Sequence, residues 1–255
     1  MQVRPNAAKE TLSQGGTIFS SAVRLPEPGL CEILGYAGFD FVLLDNEHGA
    51  LSPVAIDRLV QGCLAGDTVP IVRVLRNHDP EAIMLALDLG AQGILLPHCR
   101  TAQDARDLQQ AAYYAPRGNR GFGPGRGNRW GAISKEDYFA GIDDSILLIA
   151  LIEDIEGVEN VEEIAATGLD VLWTGTGDLA MAHGVPGERD HPKVLDASKR
   201  ILDACLENGV AAGFPARHAE DVEWAREQGY RAIGFGGAEN LLMAQSRSLL
   251  SSVGR

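Results

Sequence analysis

Basic residues are scarce. The 255-residue chain carries 22 Lys and Arg against 35 Asp and Glu, for a formal net charge of −13. Such a balance repels phosphate backbones and anionic lipid headgroups, so neither nucleic acid nor a membrane is an expected partner. No apolar run is long enough to cross a bilayer. The start, M-Q-V-R-P-N-A-A-K-E, has no apolar core region, so no secretory signal is expected. There are four cysteines, Cys31, Cys63, Cys99 and Cys205, and no C-x-x-C pair. In their apolar or helical contexts they read as buried free thiols, and the expected compartment is the cytoplasm. No linker or low-complexity tract divides the chain, so one domain over 1–255 is expected. No lysine stands at the end of a β-rich run, which argues against a covalent Schiff-base mechanism.

What is present is a rhythm of short β-rich run, turn and longer helical run. Strands are expected at 17–20, 41–44, 71–74, 93–96, 146–152, 171–173, 210–214 and 232–235. Helices are expected at 28–37, 53–64, 80–89, 101–112, 158–166, 191–208, 219–228 and 238–250, with short ones at 135–140 and after Asp178. Ile56, Leu59, Val60 and Cys63 show the helical spacing directly. Pro80 suits a first helical position and Thr101 a cap. Eight strands alternating with helices predict an α/β fold, a parallel (β/α)8 TIM barrel, rather than a doubly wound sheet. The rhythm breaks only at 113–133, where Y-Y-A-P-R-G-N-R-G-F-G-P-G-R-G-N-R-W forms a long glycine- and arginine-rich loop. Loops of that length inside a domain are usually functional or mobile.

In such a barrel the carboxyl ends of all strands face one mouth. Glu153 ends the apolar run L-L-I-A-L-I, and Asp178 follows V-L-W-T-G-T-G. Each acid alone reads as a solvated or capping residue. Two on adjacent strands with no nearby Lys or Arg repel unless a cation or shared proton intervenes, and a hard divalent metal fits. The run F-V-L-L delivers D-N-E-H-G, with Asp45, Glu47 and His48 on one tight loop, suited to acid/base work. Arg73 lies inside the apolar P-I-V-R-V. It either pairs with a buried acid such as Asp45 or Glu47, or faces the mouth and binds a substrate carboxylate or oxyanion. Asp88 interrupts an apolar helix face and needs a partner there. His98, in L-L-P-H-C, reads either as a structural histidine or as part of the mouth. His78, His183, His191 and His218 read as surface residues, and Trp173 and Trp224 as packing.

Taken together, these segments resemble the HpcH/HpaI family of class II pyruvate aldolases over nearly the whole chain. A-G-F-D-F-V-L-L-D-N-E-H-G is similar to the family segment ending in D-x-E-H, and P-I-V-R-V to its arginine strand. P-R-G-N-R-G-F-G resembles its P-x-G-x-R-G-x-G loop. I-E-D-I-E-G-V-E-N and T-G-T-G-D-L-A resemble its two metal-bearing strand ends. The resemblance implies Glu153 and Asp178 as ligands of a divalent metal, Mg2+, Mn2+ or Co2+. It implies His48 as acid/base group with Asp45 and Asp88 as acids linked to it. It implies Arg73 on the pyruvate oxygen, and the Gly177 and Asp178 backbone on the carboxylate. A swapped C-terminal helix, a homohexamer, and Phe122 reaching a neighbouring subunit's site are implied as well. Two positions depart from the pattern. Leu151 stands where the family often has Gln, and Thr176 where it usually has Pro, both beside the pyruvate site.

The expected activity is reversible aldol cleavage of a 4-hydroxy-2-oxo acid to pyruvate, or a related 2-oxo acid, and an aldehyde. Oxaloacetate decarboxylation through the same enolate is the second reading. A coenzyme A ester lyase, and a barrel that binds a small acid without turnover, fit the acid/base set less well.

Overall fold

The computed structural model describes residues 2–255. Short apolar runs bounded by glycine and polar turns have only one way to satisfy their backbone groups while buried on both faces, which is a sheet covered by helices. The eight strands are β1 (Ile18–Val23), β2 (Phe41–Asp45), β3 (Val69–Arg73), β4 (Gly93–Leu96), β5 (Leu147–Ile152), β6 (Val171–Thr174), β7 (Ala211–Pro215) and β8 (Ala232–Gly237). All pair in parallel with their sequence neighbours, and β1 pairs with β8 to close the barrel. The expected TIM barrel is the observed one.

Before β1 lies α1 (Ala7–Ser13), and α2 (Pro28–Tyr36), α3 (Pro53–Ala65), α4 (Pro80–Asp88) and α5 (Ala102–Ala112) follow the first four strands. Proline at the first helical turn starts α2, α3 and α4, where a missing N–H costs nothing. A reciprocal Thr101–Asp104 capping box starts α5. The loop after α5 leads into α6 (Lys135–Ser145). The single helix expected at 158–166 is instead two short pieces, α7 (Ile155–Glu159) and α8 (Val161–Ala165), hinged at Asn160. Next come α9 (Thr176–Ala182), α10 (Pro192–Asn208), α11 (Ala219–Gln228) and α12 (Ala238–Ser252).

Two apolar layers hold this together. Side chains pointing into the barrel, among them Ile18, Phe41, Ile71, Leu95, Ile149 and Val171, form one cluster. Side chains pointing outward meet the helices in a second, larger cluster. The helix α1, which the sequence reading missed, adds Ala8 and Leu12 to the inner cluster and so closes the end where the strands begin. Asn6 fastens it by donating from Nδ2 to Gln92 O at 2.8 Å and Ser145 O at 2.9 Å. The four cysteines are buried free thiols, as expected. No described helix is long and apolar enough to cross a membrane.

Helix α12 breaks the pattern. Ala238 is its one buried residue, while Leu241, Leu242, Met243, Leu249 and Leu250 stand exposed. Its apolar side has no counterpart on its own barrel.

Candidate active site

The carboxyl ends of the strands surround a cavity of about 330 Å³ lined by Arg24, His48, Arg73, Glu153, Asp178 and Arg189, with no lysine. Parallel pairing in register puts Asp45, the last residue of β2, directly beside Arg73, the last of β3. The guanidinium donates from Nε to Asp45 Oδ1 at 2.9 Å and from Nη2 to Oδ2 at 2.6 Å. Arg24 Nε adds a third bond to Asp45 Oδ2 at 2.8 Å. Burial alone would raise the Asp45 pKa, but Arg73, the His48 N–H and Arg24 outweigh it and hold the carboxyl below its usual range. Arg73 thus combines the buried pair with a place at the mouth.

The D-N-E-H loop after β2 carries two functional candidates in different ways. Glu47 is nearly buried, with Oε2 2.9 Å from Arg73 Nη1 and Oε1 3.3 Å from His98 Nε2. The Arg73 contact lies outside hydrogen-bond angles, so Glu47 Oε2 is a buried oxygen without a donor. His48 stands at the rim, its side chain 58% exposed, with Nε2 3.7 Å from Glu47 Oε2. Its ring does not touch Asp45. The link expected between the two is a bond from the His48 backbone N–H to Asp45 Oδ1 at 3.1 Å, because the Asp45 carboxylate is committed to two arginines.

Glu153 lies at the centre. It follows β5 directly and is 2% exposed. Gly175 lets β6 pass close to it, since a Cβ there would sit 2.5 Å from Glu153 Cβ. Burial pushes the Glu153 pKa up to about 8, opposed by the His98 N–H and reinforced by the Asp178 and Glu47 carboxylates. His98 N–H donates to Glu153 Oε1 at 2.9 Å. Its ring places Nδ1 3.3 Å from Glu153 Oε1 and 3.2 Å from Asp154 Oδ2. His98 holds φ at +49°, a conformation rare for a residue with a side chain. It packs beside Glu153 and Glu47, behind the residues that line the cavity.

Glu47, His98 and Glu153 each bring one potential ligand atom within 4.8 Å of the others. The donor set fits a hard divalent cation: carboxylate oxygens with one imidazole, an orphaned buried oxygen, and a carboxyl whose ionisation its burial resists. The sequence singled out Asp178 as the companion of Glu153; the three-residue cluster is Glu47, His98 and Glu153, and the Asp178 carboxylate lies close enough to Glu153 to raise its pKa. Asp178 lies inside the first turn of α9, after the cap position Gly175, so it does not cap a helix beginning at Leu179. The first intrahelical bond runs from Leu179 N–H to Gly175 O at 2.9 Å, leaving the Gly177 and Asp178 N–H groups ahead of it. Leu151, buried in β5, gives the cavity an apolar wall, and Trp173 crosses its floor edge-on to Phe41.

Asp88 and Phe122 are elsewhere. Helices of the barrel run opposite to the strands, so the carboxyl end of α4 lies where β4 begins, across the barrel from His48. There Asp88 accepts from Arg120 Nη2 at 2.6 Å, the partner its apolar helix face demanded. Phe122, in the long loop, packs with Tyr114 of the same loop and with Tyr138 and Phe139 of α6, and is 42% exposed. Within one chain neither meets the mouth, and Asp88 does not reach His48.

The comparisons with known proteins concern this whole barrel. A hydroxypyruvate/pyruvate aldolase of Chromohalobacter salexigens is 37% identical over 240 residues, 92% of each chain. A 5-keto-4-deoxy-D-glucarate aldolase of Shigella boydii is 33% identical over 241 residues, 92% of this chain and 91% of the relative. A solved HpcH/HpaI aldolase/citrate lyase family protein from Burkholderia cenocepacia superposes with a TM-score of 0.91 at 30% identity, over 97% of this chain and 99% of that one. The family profile for HpcH/HpaI aldolase/citrate lyase matches residues 23–244. With motifs, barrel and mouth in agreement, the chain belongs to the HpcH/HpaI aldolase/citrate lyase family.

Proposed function

We propose that this protein is a metal-dependent class II aldolase that cleaves a 4-hydroxy-2-oxo acid to pyruvate, or a related 2-oxo acid, and an aldehyde. The observation that carries this is Glu153, buried at the mouth among Asp178, Glu47 and His98 and facing the same cavity as Arg73. Glu153 and Asp178 would hold Mg2+, Mn2+ or Co2+, with Glu47 and His98 beside them. The bound cation supplies Lewis acidity to the 2-oxo acid.

The chain's own residues do the rest. The Gly177 and Asp178 N–H groups receive the substrate carboxylate. Arg73 spends two of its five N–H groups on Asp45 and sets Nη1 2.9 Å from Glu47 Oε2, and the groups left free stabilise negative charge on the 2-oxo oxygen. His48 takes the proton of the 4-hydroxyl. The C3–C4 bond then breaks, its electrons pass to the 2-oxo oxygen, the aldehyde leaves, and C3 takes a proton to become the pyruvate methyl group. Leu151 and Thr176 shape the wall beside the 2-oxo acid and bear on which acid is preferred.

Assembly completes the site. The exposed apolar side of α12 calls for a partner, and a homohexamer exchanging this helix supplies one. In that assembly Asp88 and Phe122 of a neighbouring copy serve this chain's mouth. A cytoplasmic location suits the free thiols.

Product analysis by NMR tests the reading. Pyruvate with a panel of aldehydes should give 4-hydroxy-2-oxo acids, and those acids should be cleaved back. Turnover of oxaloacetate with no aldol product from any aldehyde would make decarboxylation the activity instead.

A further inference from the structure

Four side chains of alternating charge follow one another across four neighbouring strand ends. Glu239 stands in the first turn of α12, just past β8. Arg24 directly follows β1, Asp45 ends β2 and Arg73 ends β3. The barrel pairs β8 with β1, β1 with β2, and β2 with β3. Arg24 is the middle of this row. Its backbone N–H donates to Glu239 Oε1 at 2.8 Å. Its Nε donates to Asp45 Oδ2 at 2.8 Å, the oxygen that also accepts from Arg73 Nη2.

The contact between the Arg24 and Glu239 side chains is incomplete. Glu239 Oε2 is a buried oxygen without a donor, and Arg24 Nη1 stands 3.6 Å from it. A buried carboxylate oxygen left unpaired is costly. A movement of less than about 1 Å would bring the two atoms into hydrogen-bond range. Gly237 keeps the gap that small, since a Cβ there would sit 2.4 Å from Glu239 Oε2 and 2.5 Å from Arg24 Nη1. The joint between β8 and α12 is glycine twice over, with Gly236 at φ +47°. Ala238 is the one buried residue of α12. Little else therefore fixes this helix on its own barrel.

We propose that Glu239 is a positioning residue that couples the seat of α12 to the mouth. The inference rests on the proposed reading of the mouth and of the assembly. When α12 lies on a neighbouring copy, Glu239 closes on the Arg24 guanidinium. Arg24 then holds Asp45 from one side while Arg73 grips it from the other, and the free N–H groups of Arg73 stay aimed at the 2-oxo oxygen. An isolated protomer has the same four residues with the Glu239 end left open.

Two measurements test this. Denaturant melts of Glu239→Ala, Asp45→Asn and the double variant read the coupling without any substrate. The two losses should be non-additive in the parent and additive in an Arg24→Gln background, because the link runs through that guanidinium. Exchange of the pyruvate methyl protons, followed against pyruvate concentration in metal-loaded protein, reads the consequence. Glu239→Ala should lower the saturated rate about tenfold, less than loss of the Arg73 donor itself would. It should leave the half-saturating pyruvate concentration within about twofold, because the misaimed interaction is one that strengthens in the transition state. Light scattering should give Glu239→Ala the size of the parent. Additive melts overturn the proposal whatever the reaction. It is equally overturned if Glu239→Ala exchanges at the parent rate, or if the variant is a smaller species, which would make Glu239 an assembly residue. Non-additive melts in a parent that exchanges no methyl protons would uphold the link and overturn the proposed reaction instead.

Discussion

Asp45 and Arg73 end adjacent strands as direct register partners, and the guanidinium grips the carboxylate twice, at 2.9 and 2.6 Å. The grip fixes the plane of the guanidinium and aims its free N–H groups into the mouth. Structure and chemistry are therefore joined at this pair. Arg73→Ala leaves Asp45 buried with Arg24 as its one remaining arginine, at a cost of about 3–5 kcal/mol in stability. It should also lower turnover by about two to three orders of magnitude. Arg73→Lys should restore most of the melting temperature and little of the turnover, because an ammonium lacks the planar fork. Recovery of kcat to within a few-fold of the parent in the Lys variant would show that charge alone suffices.

The sign of the pH effect at this pair is fixed by its direction. The folded-state pKa of Asp45 lies below its ordinary 3.8. The unfolded chain then binds more protons in acid, so the pair's stability is present above about pH 4 and is lost as the pH falls through the folded value. The acid limb of unfolding should flatten in Asp45→Asn, measured by denaturant melts between about pH 2 and pH 5.

Glu153 has the opposite sign. Its folded-state pKa is raised from 4.5 to about 8, first by burial and then by Asp178 and Glu47. Between those values the folded, metal-free protein binds more protons than the unfolded chain, so its stability falls as pH rises through that window. Chelated protein should lose melting temperature relative to chelated Glu153→Gln between about pH 5 and pH 8. Mn2+ should bind with release of a proton below about pH 8, and proton-release calorimetry reads that number directly. An uptake of protons on Mn2+ binding would place the cation elsewhere.

His48 separates two reactions that share an enolate. Aldol cleavage must remove a proton from a hydroxyl, whereas decarboxylation of oxaloacetate reaches the enolate without doing so. His48→Ala should slow cleavage by about two orders of magnitude or more, and decarboxylation much less. The imidazole is 58% exposed at the rim, so the variant should fold normally. Parallel loss of both reactions would remove His48 from the hydroxyl and leave Glu47, its near neighbour, as the better base.

The unpartnered side of α12 predicts an oligomer. Light scattering at micromolar concentration should give a hexamer, and deletion of residues 240–255 should give smaller, less active species. A full-length monomer with full activity would contradict both the exchange of α12 and the service of one mouth by a neighbour's Asp88.

Much of this was legible in the residues. The barrel follows from eight apolar runs of the right length, and the mouth from the rule that strand ends converge, which brought Asp45, His48, Arg73, Glu153 and Asp178 to one end. The first helix escaped notice because seven residues carry too little periodicity, though its contribution to the barrel's inner core is real. His98 and Glu47 were ambiguous because a lone histidine or glutamate in a loop has no period. The place of His98 is set by the turn at φ +49°, with its N–H and ring on Glu153. Asp88 could not be placed by spacing along the chain, since helix direction puts it across the barrel from His48 of its own chain.

Exchange of the pyruvate methyl protons with deuterium oxide, followed by proton NMR, reports enolate formation without any aldehyde. The methyl signal should fade with metal-loaded protein, persist after thorough chelation, and fade again when Mg2+, Mn2+ or Co2+ is returned. Borohydride should trap no substrate on the chain. Undiminished exchange in metal-free protein, or a covalent adduct after borohydride, would contradict a metal-dependent site built on Glu153 and Asp178.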